Sequence, residues 1–80
     1  MKRIHFTQHA IQRMKERGIT SSEVISTIDA SLQTTYNRNV CIAKGLRTNG
    51  HVLIVVFSTL GRIKVITVID TSKVKKYLDL

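Results

Sequence analysis

The stretch Phe6-Thr7-Gln8-His9-Ala10-Ile11-Gln12-Arg13-Met14-Lys15-Glu16-Arg17-Gly18-Ile19 decides how the rest of the chain is read. Its apolar positions recur at helical spacing, with Phe6, Ala10, Met14 and Ile11 forming one arc suited to a core. Thr7 precedes the run as an N-cap, and Gly18 follows it as a residue that enters the left-handed conformation cheaply. His9, Arg13 and Arg17 stand at successive i, i+4 positions along the border of the apolar arc. Solvated charges ordinarily sit opposite the core, as Gln12, Lys15 and Glu16 do. The border stripe is therefore the first candidate for chemistry. It needs a partner, and the expectation is that Thr67 and a small-residue strand, Cys41, Ala43 and Gly45, face it.

Working outward, Lys2 to Phe6 alternates and reads as a short edge strand. Thr20-Ser21-Ser22-Glu23 has the form of a capping box, with Ile19 before it as a hydrophobic staple. A second helix follows from Ser21 to Ala30, with Val24, Ile25 and Ile28 inward and Leu32 just beyond. Its Ser26, Thr27 and Asp29 face carries no evident chemistry. From Leu32 the period changes to that of strands. Gln33 to Tyr36 is a polar edge strand, Asn37-Arg38-Asn39 a turn, and Val40 to Leu46 a strand with one small face. Asn49-Gly50 predicts a type I′ hairpin, followed by an apolar central strand from His51 to Ser58. Leu60-Gly61 turns the chain into a last strand, Arg62 to Asp70, with Ile63, Val65, Thr67 and Ile69 on one face and Lys64, Ile66, Val68 and Asp70 on the other. The tail from Thr71 to Leu80 adds a short helix or strand. The expected fold class is α+β: two N-terminal helices on one face of a roughly four-stranded antiparallel sheet, in a single domain spanning 1–80.

Eighty residues support only a modest core, burying about 60 to 65% of the extended-chain surface. The lone cysteine, Cys41, excludes an intramolecular disulfide and a cysteine zinc site, and suits a reducing cytoplasm. Met1-Lys2-Arg3 leads into polar residues rather than an apolar run, so no secretory leader is expected. The longest apolar stretch, Val52 to Phe57, is too short for a transmembrane helix. Thirteen Lys and Arg against five Asp and Glu leave a formal charge of +8. That excess points to a polyanionic partner, RNA foremost. The few carboxylates form no metal-binding pattern, which disfavours a metal-dependent nuclease; no cofactor is expected.

The line Phe6-Thr7-x-His9-Ala10-x-x-Arg13-Met14-x-x-Arg17-Gly18-Ile19-Thr20, followed by Glu23-Val24 and by Val65-Ile66-Thr67-Val68, resembles the signature of a widespread family of small bacterial domains of unknown function. That family in turn resembles the RelE, BrnT and EndoU-like group of metal-independent ribonuclease toxins. The resemblance implies a RelE- or barnase-like fold and an active site made of a helical His and Arg with a strand Thr, mapping to His9, Arg13 and Thr67. Tyrosine-rich ribosome-dependent sites of the RelE kind are not matched, since only Tyr36 and Tyr77 are present.

RNA cleavage without metal needs a base for the 2′-hydroxyl proton, an acid for the departing 5′-oxygen, and cations for the phosphorane charge. Histidine serves either proton-transfer role, and guanidinium forks fit phosphate. His9, Arg13 and Thr67 are thus the expected catalytic positions. Arg17, Lys44, Arg47, His51 and Arg62 are expected to bind substrate, with His51 also a candidate second proton-transfer group. The expected function is a toxin-like ribonuclease with RNA as partner and, in a toxin–antitoxin setting, a small acidic antitoxin or immunity protein. The alternative is a non-catalytic nucleic-acid-binding or antitoxin-binding module.

Overall fold

A computed structural model of the chain describes residues 4–78. The order of elements is β1 (Ile4–Phe6), α1 (Gln8–Arg17), α2 (Ser21–Asp29), β2 (Gln33–Asn37), β3 (Val40–Leu46), β4 (Val52–Ser58), β5 (Ile63–Thr71) and α3 (Val74–Tyr77). The expected strand start at Lys2 and the tail residues Asp79 and Leu80 lie outside the described residues.

The helix ends follow the local chemistry of the sequence. Thr7 Oγ1 accepts from the Ala10 N–H at 3.1 Å, and Gly18 closes α1 at φ 63°. The capping box forms reciprocally: Glu23 N–H donates to Thr20 Oγ1 and Thr20 N–H to Glu23 Oε1, each at 3.2 Å. Ala10 is fully buried and Phe6 and Met14 pack on the core, as the apolar arc predicts. Ile11 does not join them and is 36% exposed. In α2 the inward positions are Val24 and Thr27, with Ile28 beside them, while Ile25 is exposed. Thr27 lies over Gly45, where an added Cβ would meet its methyl at 3.5 Å. The small face of β3 therefore admits α2, while Cys41 and Ala43 are core residues.

The sheet has five strands in the order β1-β5-β4-β3-β2, and it is mixed. β2 to β5 form the expected antiparallel meander, but β1 adds to the outer edge of β5 in parallel, Ile4 opposite Ile63 and Phe6 opposite Val65. The roughly four-stranded antiparallel sheet is thus corrected to five mixed strands: the short edge strand read before Thr7 joins the sheet, and in parallel, because α1 and α2 carry no strand back beside it before β5. β1 is held by its neighbour: Thr7 N–H donates to the Val65 carbonyl at 3.1 Å and its hydroxyl to the Ile66 carbonyl at 2.8 Å.

A bulge in β5 corrects the expected facing of the last strand. Val56 pairs with Thr67 and Phe57 with Val65, so Ile66 is the extra residue. Beyond such an insertion every side chain changes face. Val65 and Val68 are consequently both in the core beneath α1 and α2, opposite Phe57 and Val55. Asp70, opposite the core residue Leu53, shares their face, whereas Thr67 and Ile69 pair with Val56 and Ile54 on the far side. There α3 and Leu78 cover Val52 and Ile54 in a second small cluster. No helix among the described residues is long and apolar enough to cross a membrane.

The β3–β4 hairpin also departs from expectation. Gly50, at φ 87°, is the turn residue with positive φ, and its N–H donates to the Arg47 carbonyl at 3.0 Å. The turn thus runs from Arg47 to Gly50 and is not type I′, which would require Asn49 at positive φ too. Arg47 N–H donates to the His51 carbonyl at 2.8 Å, so these two residues close the hairpin side by side.

Candidate functional site

The inward rows of the sheet end in polar residues at one edge of the core. Along β3 the row Cys41, Ala43, Gly45 continues to Arg47; along β4 the row Phe57, Val55, Leu53 continues to His51; the bulge brings Asp70 of β5 to the same place. Above them lies the elbow between α1 and α2, which contributes the Gly18 carbonyl and Glu23.

Arg47 is the centre of this cluster. Its Nε donates to Glu23 Oε2 at 2.7 Å and its Nη2 to Glu23 Oε1 at 3.2 Å, a two-point clamp. Nη2 also donates to the Gly18 carbonyl at 3.1 Å, and Nη1 pairs with Asp70 Oδ2. The side chains of Arg47 and Asp70 are only 11% and 10% exposed. The Arg47 bond holds the Glu23 carboxyl below its ordinary range, against the opposing effect of burial. Burial alone would raise Asp70, but the hydrogen bonds from His51 and Arg47 outweigh it and hold that carboxyl low as well. Glu23 in turn raises the Arg47 guanidinium further.

Asp70 spends its other oxygen on His51, whose Nδ1 lies 2.6 Å from Oδ1. An ionised carboxylate can only accept, so Nδ1 carries a hydrogen, and in the neutral imidazole Nε2 is then the nitrogen with the lone pair. His51 is 41% exposed, which leaves that nitrogen accessible. A carboxylate fixing the tautomer of an exposed imidazole is the arrangement that makes histidine an oriented proton acceptor.

On the α1 side of Asp70 is a hollow of about 220 Å³ walled by Arg13, Arg17 and the β5 segment Thr67, Val68, Ile69 and Asp70. It opens where β5 runs on past the end of β1. Arg13 and Arg17 are exposed, and neither forms an ion pair among the described residues. Arg13 also walls a neighbouring hollow of about 190 Å³ with His9, Gln12 and Glu16. Two cations over an open strand edge can hold a phosphate or a carboxylate.

The expected site residues are thus distributed unevenly. Arg13, Arg17 and Thr67 border one hollow, but Thr67 does not face the helix stripe as expected: the bulge turns its side chain to the far side of the sheet with Val56, and the small face of β3 lies under α2 instead. His9 lies on the outer flank of Arg13, away from Thr67. Arg47 is enclosed by Glu23 and Asp70, and His51 is bound to Asp70. Lys44 is on the far face of the sheet, opposite Ile54 and Gln33. Arg62 is exposed in the bend before β5, at the other end of the sheet. Asp70 and Glu23 were missed. The signal for Asp70 was a carboxylate closing an otherwise apolar strand, but its facing depends on the bulge. Among the described residues no group of three His, Cys, Asp or Glu is placed to share a metal ion.

Residues 6–70 match a family described as a domain of unknown function, DUF4258. The chain belongs to that family. The matched segment of this DUF4258 domain begins at Phe6 and ends on Asp70, so it contains all of the hollow and the whole Glu23–Arg47–Asp70–His51 cluster. No curated protein and no solved structure matches the chain.

Proposed function

We propose that this DUF4258 domain is a metal-independent ribonuclease that cleaves RNA by transesterification. The observation that carries the reading is the His51–Asp70 pair, an oriented imidazole whose carboxylate borders a hollow holding two exposed arginines. The net charge of +8 and the resemblance to the RelE, BrnT and EndoU-like group point the same way.

In this reading Arg13 and Arg17 bind the scissile phosphate and offset the charge that builds on it. His51 Nε2 takes the proton of the 2′-hydroxyl, whose oxygen attacks phosphorus. The bond from phosphorus to the 5′-oxygen breaks, and His9, across Arg13, is assigned to protonate that oxygen. The products are a 2′,3′-cyclic phosphate and a free 5′-hydroxyl. Asp70 holds the tautomer of His51, and Arg47 holds Asp70. Both carboxylates at this end are engaged by Arg47, so cations face the substrate. An acidic antitoxin that covered Arg13 and Arg17 would block the same phosphate position.

A second reading, a module that binds nucleic acid without cutting it, is favoured by one observation: His9 lies outside the hollow that Thr67 lines, leaving a single imidazole near it. Purified protein incubated with total RNA in EDTA separates the two. The ribonuclease reading expects cyclic-phosphate ends from the wild type and loss of cleavage in Arg13→Ala and His9→Ala. Binding that weakens steeply with salt and yields no products supports the module instead.

A further inference from the structure

A second hollow, of about 330 Å³, has Arg47 in its wall, and Arg47 pairs with Asp70, which lines the Arg13–Arg17 hollow. The second hollow is bounded by α2 and by the end of β3 past its last pairing with β2, where Gln33 meets Lys44. Leu53, Leu46 and Ala30 give it an apolar lining, while Ser22, Ser26 and Thr48 place hydroxyls around it. None of these three hydroxyls has a hydrogen-bond partner among the described residues, whereas neighbouring Thr20 and Thr27 are both engaged. Glu23 and Arg47 line this hollow, and Asp70, which pairs with Arg47, lines the first. One chain of ion-paired side chains therefore links the walls of the two hollows.

We infer that this second hollow receives the nucleobase adjoining the phosphate held by Arg13 and Arg17. An apolar floor with a few convergent, unspent polar groups suits a flat heterocycle that hides its faces and presents donors and acceptors at its edge. A free sugar or a bare anion would leave Leu53, Leu46 and Ala30 without a complement. Arg47, the cation in the wall of this hollow, is itself neutralised by Glu23 and Asp70, so the base side carries no uncompensated cation to attract a second phosphate. This inference rests on the ribonuclease reading for its substrate, RNA, but its test does not require cleavage.

Backbone amide shifts of the isotope-labelled protein are followed by NMR during titration with the four nucleoside 3′-monophosphates, ribose 5-phosphate and inorganic phosphate. At least one nucleotide is expected to move the amides of Ser22, Ser26, Ala30, Leu46 and Thr48 and to bind about tenfold more tightly than ribose 5-phosphate. Inorganic phosphate is expected to move only the Arg13 and Arg17 region. Ser26→Phe, a change on the exposed surface of α2, should fill the hollow and reduce nucleotide affinity to that of ribose 5-phosphate, while Ser26→Ala, which removes one hydroxyl and leaves the space open, should weaken nucleotide binding only in part. Equal affinity and equal shifts for nucleotides and ribose 5-phosphate would overturn the inference, as would full nucleotide binding by a folded Ser26→Phe. If base-dependent shifts persist but RNA is never cut, the ribonuclease reading fails and the base site stands.

Discussion

The two ends of β3 are both hairpin turns, and they are built in opposite ways. At its start, the Asn37–Val40 turn places Arg38 at φ 60°, a left-handed conformation that costs a non-glycine residue about 1–2 kcal/mol. At its end, the same demand falls on Gly50, where it costs little. The relaxed turn is the one whose flanks, Arg47 and His51, hold the ion-paired cluster; the strained one has exposed side chains. Strain in this molecule lies away from the candidate site. The end that must hold an imidazole in register instead has a glycine turn and a side-chain clamp.

That contrast can be broken most severely at Arg47. Removing it leaves Glu23 and Asp70 without their cation and the Gly18 carbonyl without its donor. Arg47→Ala is expected to cost about 3 kcal/mol, a large share of the roughly 4–12 kcal/mol available to a chain of this length. Chemical denaturation measures it. Arg47→Lys should recover only part, since an ammonium cannot reproduce the two-point contact with Glu23.

Acid should weaken the same end. Glu23 and Asp70 both have lowered carboxyl pKa values in the fold, so the unfolded chain binds their protons first as pH falls. Their contribution is complete above the ordinary carboxyl values near about 4 and is lost as pH drops through the lower folded values. Melting temperature should therefore fall steeply below about pH 4 in the wild type and less steeply in Arg47→Ala. A parallel decline in both would mean that other groups dominate acid unfolding.

The smallest effect is expected at the strained end, and with the opposite sign. Arg38→Gly relieves the left-handed arginine at some cost in unfolded-chain entropy, for a net gain of about 0.5–1 kcal/mol. In a domain of this size that raises the melting temperature by roughly 4 °C. An unchanged or lower value would show that Arg38 makes compensating interactions.

Much of the frame was legible in the residues. Thr7, Gly18 and the Thr20–Glu23 box marked the helix ends because caps are local chemistry, and β3 is bounded by Val40 and Leu46 as its alternation predicts. The bulge was not legible: Val65-Ile66-Thr67-Val68 is an unbroken run of strand-formers with no glycine or proline to announce an insertion. Missing it reversed the facing of Thr67 and Asp70. The candidate site was half legible. Arg13 and Arg17 stood out by helical spacing, but Glu23, Arg47 and Asp70 are more than twenty positions apart and meet only through the fold. Arg47 and His51 did leave a trace, each extending an inward-facing row past its last apolar residue.

The most direct test of the central claim is cleavage of total RNA in EDTA by the wild type and by His51→Ala, with folding of both checked by circular dichroism. The expected result is 2′,3′-cyclic phosphate ends from the wild type and a rate lower by at least about a hundredfold in His51→Ala. Undiminished cleavage by a folded His51→Ala, or none by the wild type, would contradict it.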